Sequence, residues 1–445
     1  MTHSPISVCI VTFGCQMNKL DSQLLSGELV RRGFALESDP DRADVVLYNT
    51  CSVRRHAEDR VFSHVGALRR RAEREPTFVV GVIGCMAQRL GAELVQRFDF
   101  VDLVCGTRAF PDVPRHLEGI LAGGGPVVDV REEGAIACQR MPAMRVRPHS
   151  AHVAVMRGCD NYCSYCIVPY VRGREVSRPP ADVVSEVRAL AEDGVREVVL
   201  LGQNVNSYGR GLPGPDVDLA DLLGMVNDVS GLNRIRFVTS NPKDMSDRIL
   251  RAVAELDKVC EHLHVPAQSA SDPILQRMNR RYASEQYRDM VRWARDIIPE
   301  VEIASDFIVG FPGETAQDFE RTLALVHETR FQQSFVFKYS PRPHTLAARW
   351  PDDVPDETKR ERNLRLLDAQ EAVDTARRKG MIGRDVEVLV DGVSKGDPGK
   401  LSGRTRQNDI VVFEGAEPMV GRLCTVRLTD STPLTLFGAV LPTPS

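Results

Sequence analysis

Residues 156–175 read MRGCDNYCSYCIVPYVRGRE, and the spacing of Cys159, Cys163 and Cys166 within them governs the reading of the whole chain. Three thiols this close in sequence can wrap one metal centre. Three is one short of a closed site: a structural zinc takes four protein ligands, and a [4Fe–4S] cluster has four irons to ligate. A cluster held by three cysteines keeps one iron open, and an open iron can bind a small molecule. The competing reading is a zinc site that borrows a fourth ligand from His149 or His152. A second set of cysteines, described below, also stops at three and favours open clusters.

Working outward, the motif is set in a basic stretch. From Arg140 to Arg178 there are seven arginines and two acids, Asp160 and Glu175. A solvated loop could carry that composition, but a polyanionic substrate brought to the cysteines is the sharper reading, with Arg172 and Arg174 as its candidate contacts. The whole chain has 445 residues and a formal net charge of −4, so the positive charge is local. The length predicts two to four domains with ample core. No apolar run is long enough to span a bilayer, and MTHSPISVCIVTFG lacks the basic region and apolar core of a signal peptide. Eleven cysteines without such a signal predict a reducing cytoplasm and metal ligation in place of disulfides.

The N-terminal third alternates strand-like and helix-like segments. Apolar runs at residues 6–12, 44–48, 78–83 and 100–104 predict strands, and residues 21–32 and 56–71 predict helices. This alternation predicts an α/β, doubly wound parallel-sheet domain. Cys15, Cys51 and Cys85 follow the first three strands. The carboxyl ends of parallel strands share one edge, where ligands bind, so the three thiols can converge there. Gly14 and Gly84 each precede a cysteine and let the backbone turn tightly. Cys9, Cys105, Cys138, Cys260 and Cys424 lack ligand spacing and read as core or incidental thiols.

Residues 123–144 form a glycine-led linker between a first domain at 1–122 and a second at 145–377. In the second, strands are expected at 152–156, 197–201, 235–239, 262–265, 301–309 and 334–338, separated by helices. Six βα units are too few for a closed barrel, so an open, partial (βα)6 barrel is predicted, with its chemistry at the carboxyl ends of the strands. After a helix at 357–379, short strands at 386–390, 401–404, 410–413, 423–428 and 436–440 predict a small antiparallel β-barrel, OB-like, in a domain at 378–445. From Gly380 onward that domain has seven basic and eight acidic residues, so only a local group, Lys395, Lys400, Arg404 and Arg406, suggests phosphate binding.

The three-cysteine spacing resembles the signature of radical S-adenosylmethionine (SAM) enzymes. GCQMNKLDS, NTCSVR and GCMAQ resemble the N-terminal domain of methylthiotransferases. RGCDNYCSYCIVPYVRGREVSRP, HVPAQSASDPILQRMNRRY, GFPGET and FKYSPRPHT resemble their radical SAM core. GRTRQNDIVVF is similar to a TRAM domain, a small RNA-binding barrel. The resemblance covers nearly the whole chain and points to the MiaB-type, tRNA-modifying branch, through GCQMN and VPYVRGREVSRP. Ala270, His344 and Leu346 depart from the usual loop residues of the family.

The resemblance implies two [4Fe–4S] clusters, one on Cys159, Cys163 and Cys166 and an auxiliary one on Cys15, Cys51 and Cys85. It implies two SAM molecules, one a methyl donor and one a radical source, and methylthiolation of carbon-2 of an isopentenyl-modified adenosine in the tRNA anticodon loop. Strand-end residues Gln203, Asn204, Ser240, Gln268 and Asp306 would then face SAM, and Gly310 with Gly313 would let backbone approach its adenosine. Tyr162, Tyr165 and Tyr170 would either stack on the substrate base or pack around the cluster. The expected partners are tRNA and an electron donor such as flavodoxin or ferredoxin, with a monomeric enzyme and no membrane. Action on a threonylcarbamoyl-modified adenosine or on a ribosomal protein is the nearest alternative.

Overall fold

The computed structural model describes residues 5–52, 55–131 and 148–442. Cys138, Arg140, Arg145, Arg147 and most of the expected linker lie outside the described residues. The N-terminal apolar runs form β1 (Ser7–Thr12), β2 (Ala35–Leu36), β3 (Val45–Thr50), β4 (Val79–Gly84), β5 (Leu103–Cys105) and β6 (Val127–Asp129). They make a parallel sheet in the order β2-β1-β3-β4-β5-β6. Strand order reverses beside β1, so the crevice past the ends of β1 and β3 is the switch point at which such sheets bind ligands. Every residue of β3 and β4 is buried. Val46, Val80 and Val82 pack one face, while Val45, Leu47 and Val79 pack the other, as the two-residue period of a strand covered on both sides requires.

Three local features differ from the sequence reading. The first helix, Gln16–Arg31, starts five residues early, directly after Cys15. The expected helix at 56–71 is two, Arg55–Ala67 and Arg69–Arg74, interrupted at Leu68. The edge strands β2 and β6 were too short to carry a periodic signal.

The central strands are β7 (Ser150–Ala154), β10 (Glu197–Leu201), β11 (Arg234–Val238), β12 (His262–His264), β13 (Glu302–Val309) and β14 (Gln333–Lys338). The short strands β8 (Met156–Arg157) and β9 (Val176–Ser177) bracket the three-cysteine segment. Parallel pairing gives two sheets, β11-β10-β7 and β12-β13-β14. Backbone bonds from Cys260 N to Ile235 O (2.9 Å) and from Ser240 N to His264 O (3.1 Å) join β11 to β12. Six parallel strands thus curve as a partial barrel around Val153, Leu200, Phe237, Leu263, Ile303 and Phe307, all at most 1% exposed.

The C-terminal strands β15 (Asp385–Val393), β16 (Leu401–Arg404), β17 (Ile410–Phe413), β18 (Leu423–Ser431) and β19 (Leu436–Val440) close into a barrel in the order β15-β16-β17-β19-β18. The barrel is not wholly antiparallel: β17 and β19 run parallel. Its core is Val388, Val390, Val411, Phe413, Val426 and Leu436. No helix among the described residues is long and apolar enough to cross a membrane.

The described residues divide into two compact units. One holds the described residues up to 131 together with 157–160 and 166–176. The other holds 148–156, 161–165 and the described residues from 177 on.

Candidate active site

Cys15, Cys51 and Cys85 come from the carboxyl ends of β1, β3 and β4, which are neighbours in one sheet. Gly14 stands at φ +125°, and a Cβ there would fall 2.6 Å from the Cys51 Cβ. Glycine is therefore what lets the backbone before Cys15 lie against Cys51. Gly84 repeats the device at φ +96°, where a Cβ would fall 2.6 Å from both Asn49 Oδ1 and Thr50 O. Cys51 and Cys85 are buried and Cys15 is exposed, so the trio opens to one side.

A polar network fixes this rim. Asn18 Nδ2 donates to Asn49 Oδ1 (3.0 Å) and Thr50 O (2.8 Å), and its Oδ1 accepts from Cys15 Sγ at 3.3 Å. Asp21, one turn further along the same helix, accepts from Arg157 Nη2 and Arg172 Nη1, each at 2.7 Å. Arg172 Nε points at Cys85 Sγ from 3.2 Å. Burial pushes the Cys85 thiol up, against the pull of Arg172. Burial would also raise Asp21, but the two guanidinium groups outweigh it and hold the carboxyl below its usual range.

Three thiols at adjacent strand ends, with glycine clearing the space beside two of them, suit a [4Fe–4S] cube that keeps one iron open. Among the described residues no three His, Cys, Asp or Glu side chains converge closely enough for a single metal ion. A cube does not ask for that, because each iron takes its own thiolate. His149, the zinc ligand of the competing reading, is 4% exposed and turns Nε2 toward Asp391 at 3.5 Å.

In the second trio, Cys159 and Cys163 are buried and Cys166 is partly so. Gly158, at φ +80°, precedes Cys159, and a Cβ there would collide with Arg174 O at 1.9 Å. Cys159 N donates to Gly173 O, and Arg174 Nε to Asp160 Oδ1 at 2.7 Å, closing the loop on itself. Around Cys163, Ser164 donates from N to Met278 O (3.0 Å) and from Oγ to Arg277 O (2.8 Å). Asn279 Nδ2 donates to Tyr162 O at 2.9 Å, and Arg280 Nη1 approaches Cys163 Sγ at 3.5 Å. Tyr162 and Tyr170 are exposed, whereas Tyr165 packs edge-on against Phe311.

The expected SAM contacts occupy the strand-end rim with unequal freedom. Ser240 is buried, and its Oγ has no hydrogen-bond partner among the described residues. An orphaned hydroxyl at this edge suits a polar ligand. Gln268 has φ +67°, and its backbone bonds to Asp306 O (2.8 Å) and from Ile308 N (3.0 Å). Asp306 Oδ1 lies 3.1 Å from His264 Nε2, and Asn204 Nδ2 donates to Asp244 at 2.9 Å. Gln203 is half-buried. Gly310 has a different explanation from the expected approach to adenosine: its α-carbon abuts Lys359, whose Cγ would lie 2.2 Å from any Cβ. Gly313 N is held by Asp353 at 2.7 Å.

Two expected RNA contacts are engaged within the protein. Arg172 is 4% exposed at its side chain and hydrogen-bonds Asp21 and Cys85. Arg406 chelates Glu261 (2.6 Å) and donates to Asp257 O and Val259 O, so it fastens the C-terminal barrel to the central strands. Arg404 is half-buried against Asn408 and Asp391. Arg174 is exposed beside Asp160, and Lys400 is half-buried beside Asp397. The sequence reading missed Asn18, Asp21, Arg157 and Arg280 as site residues. The available signal was helical spacing: Cys15, Asn18 and Asp21 lie on one face, three residues apart.

Family descriptions match three stretches: "Uncharacterized protein family UPF0004" over residues 7–106, "Radical SAM superfamily" over 153–326, and "TRAM domain" over 379–441. Among solved structures, the chain resembles the radical S-adenosylmethionine methyltransferase TsrM from Kitasatospora setae, with TM-score 0.55, 17% identity and 77% of each chain covered. It also resembles the cobalamin-dependent S-adenosylmethionine radical enzyme OxsB, with TM-score 0.51 and 12% identity over 83% of this chain and 56% of that one. At these identities the likeness is one of fold. The curated relatives are much nearer. The tRNA-2-methylthio-N(6)-dimethylallyladenosine synthase of Thermoanaerobacter pseudethanolicus is 43% identical over 97% of this chain and 92% of its own length. That of Clostridium beijerinckii is 44% identical over 97% and 95%. Likeness at that level over nearly the full length places this chain in the tRNA-2-methylthio-N(6)-dimethylallyladenosine synthase family of radical SAM methylthiotransferases.

Proposed function

We propose that this enzyme methylthiolates carbon-2 of N6-dimethylallyladenosine at position 37 of tRNA, using one SAM as methyl donor and one as radical source. The observation that carries the reading is near-full-length similarity to synthases of that name, in a chain that retains all six cysteines of the two trios. In this reading Cys159, Cys163 and Cys166 hold the radical SAM [4Fe–4S] cluster, and Cys15, Cys51 and Cys85 hold a second. The target C–H bond carries no acidic proton, so side-chain acid–base chemistry does not suffice. When bound, the clusters and SAM supply the electron, the radical and the sulfur carrier.

The chain's own residues bind and orient. Ser240, Gln268, Asp306, Gln203 and Asn204 make the polar rim for SAM, Gly310 shapes the loop beside it, and Arg174 and Lys400 meet tRNA phosphates. The burial of Cys51, Cys85, Cys159 and Cys163 limits water at both trios. An electron donor of the flavodoxin or ferredoxin type, a cytoplasmic location and a monomeric state complete the reading.

The test is iron and acid-labile sulfide per chain after anaerobic reconstitution, with tRNA digests analysed by mass spectrometry. The wild type should hold two clusters, and a triple Ala variant at Cys159, Cys163 and Cys166 should keep one. Cys85→Ala should still cleave SAM reductively yet form no methylthio-adenosine. Product from the Cys85 variant would end the two-cluster assignment.

A further inference from the structure

Asp21 is 1% exposed at its side chain and is shared by two guanidinium groups, those of Arg157 and Arg172, themselves 11% and 4% exposed. The triad carries two positive charges and one negative. A buried ionic group that does not sum to zero costs several kcal/mol unless another charge answers it. Arg89, on the helix that begins at Cys85, is already answered by Glu58 of the helix Arg55–Ala67, at 2.9 Å. What the spare charge faces is sulfur: Arg172 Nε lies 3.2 Å from Cys85 Sγ. Its Nη2 also reaches Asn18 Oδ1 (3.4 Å), the atom that accepts from Cys15 Sγ. The arginine is held from behind as well, because Arg172 O accepts from Arg108 Nη2 at 3.2 Å and Val171 O from Thr107 Oγ1 at 2.6 Å.

We propose that Arg172 is a positioning residue of the auxiliary site. It donates a hydrogen bond to the Cys85 thiolate and lends the triad's unbalanced positive charge to the cluster, raising the cluster's reduction potential. The inference rests on the two-cluster reading above. A [4Fe–4S] cluster on three thiolates becomes more negative when it takes up an electron. A fixed cation and an N–H donor at a ligand sulfur therefore favour the reduced form. The sign follows from the charge count alone. Removing Arg172 leaves a neutral Arg157–Asp21 pair and lowers the potential. Neutralising Asp21 leaves two arginines unopposed and raises it.

The experiment uses the full chain carrying the triple Ala substitution at Cys159, Cys163 and Cys166, so that only the auxiliary cluster is read. Iron and sulfide are counted, and the cluster is titrated with dithionite under EPR. Arg172→Gln should shift the reduced-to-oxidised ratio at a fixed potential about tenfold toward oxidised, a fall of about 59 mV for a one-electron couple. Asp21→Asn should shift it the other way, and Arg172→Lys, which keeps the charge, should fall between Arg172→Gln and the parent. Full iron content with unmoved potentials, or shifts of one sign in both variants, overturns the proposal. Loss of iron from both variants while circular dichroism stays native overturns it too, in favour of a scaffold role. Absence of iron in the parent defeats the second cluster itself, and the role of Arg172 with it.

Discussion

Gly84 and Gly158 each stand one residue before a cysteine and each is held at positive φ, +96° and +80°. At both, a side chain would meet backbone or polar atoms that cannot give way. Gly84→Ala should cost about 1–3 kcal/mol by chemical denaturation. It should also lower the iron retained by the Cys159/Cys163/Cys166 triple variant, because Cys85 can no longer sit at the end of β4. Gly158→Ala should spare that auxiliary iron and instead impair reductive SAM cleavage. The six thiols were legible in the sequence, since their spacing and their places after apolar runs are local properties. Asn18 and Asp21 were not. Polar residues on a helix read as a solvated face, and what buries Asp21 is Arg157 and Arg172, more than a hundred residues later in the chain.

Strand β12 carries the buried His262, whose Nε2 has no hydrogen-bond partner among the described residues. Burial, with Arg236 and His264 nearby, pushes its pKa down to about 3. The folded value lies below the unfolded one, so the neutral ring contributes stability that is present above about pH 6.5 and lost as pH falls toward 3. Between pH 6.5 and pH 5 the wild type should lose about 2 kcal/mol through this group. His262→Gln should flatten that part of the stability profile, measured by denaturant unfolding across the pH range. Elements were legible in proportion to their periodicity. Strands β10, β16, β17 and β19 have the expected limits, and Gly202 and Gly415 follow closely on the first and third of these. The early start of the helix after Cys15 was hidden because its first turn has neither a side-chain cap nor an acidic residue.

Across the larger unit, the C-terminal barrel is fixed to the starts of the central strands. Arg234 Nη1 donates to Arg404 O (2.5 Å), Arg236 Nη2 to Thr405 O (2.7 Å), and Arg377 pairs with Asp409. This edge is opposite the strand ends that carry Ser240 and Gln268. Arg406→Ala should therefore speed hydrogen exchange in β16 and β17 and leave the salt dependence of tRNA binding unchanged. Lys400→Ala and Arg174→Ala should each reduce the slope of log binding constant against log salt by about 1 if each meets one phosphate. Composition could not separate these arginines and lysines, since a docking guanidinium and a phosphate-binding one look alike until their partners are known.

The segment from Cys166 to Val176 falls within the radical SAM stretch by sequence and within the N-terminal unit by packing. The N-terminal unit is therefore discontinuous along the chain, and it cannot be excised at the apparent boundary. A fragment ending near residue 122 would strand Asp21 without either cation, a loss of about 3–5 kcal/mol for a broken buried pair. For anyone building chimaeras between methylthiotransferases, the portable module is the N-terminal sheet plus the loop that supplies Arg157 and Arg172. Parents that differ at Asp21 or at either arginine should yield insoluble or iron-poor hybrids even when every cysteine is kept.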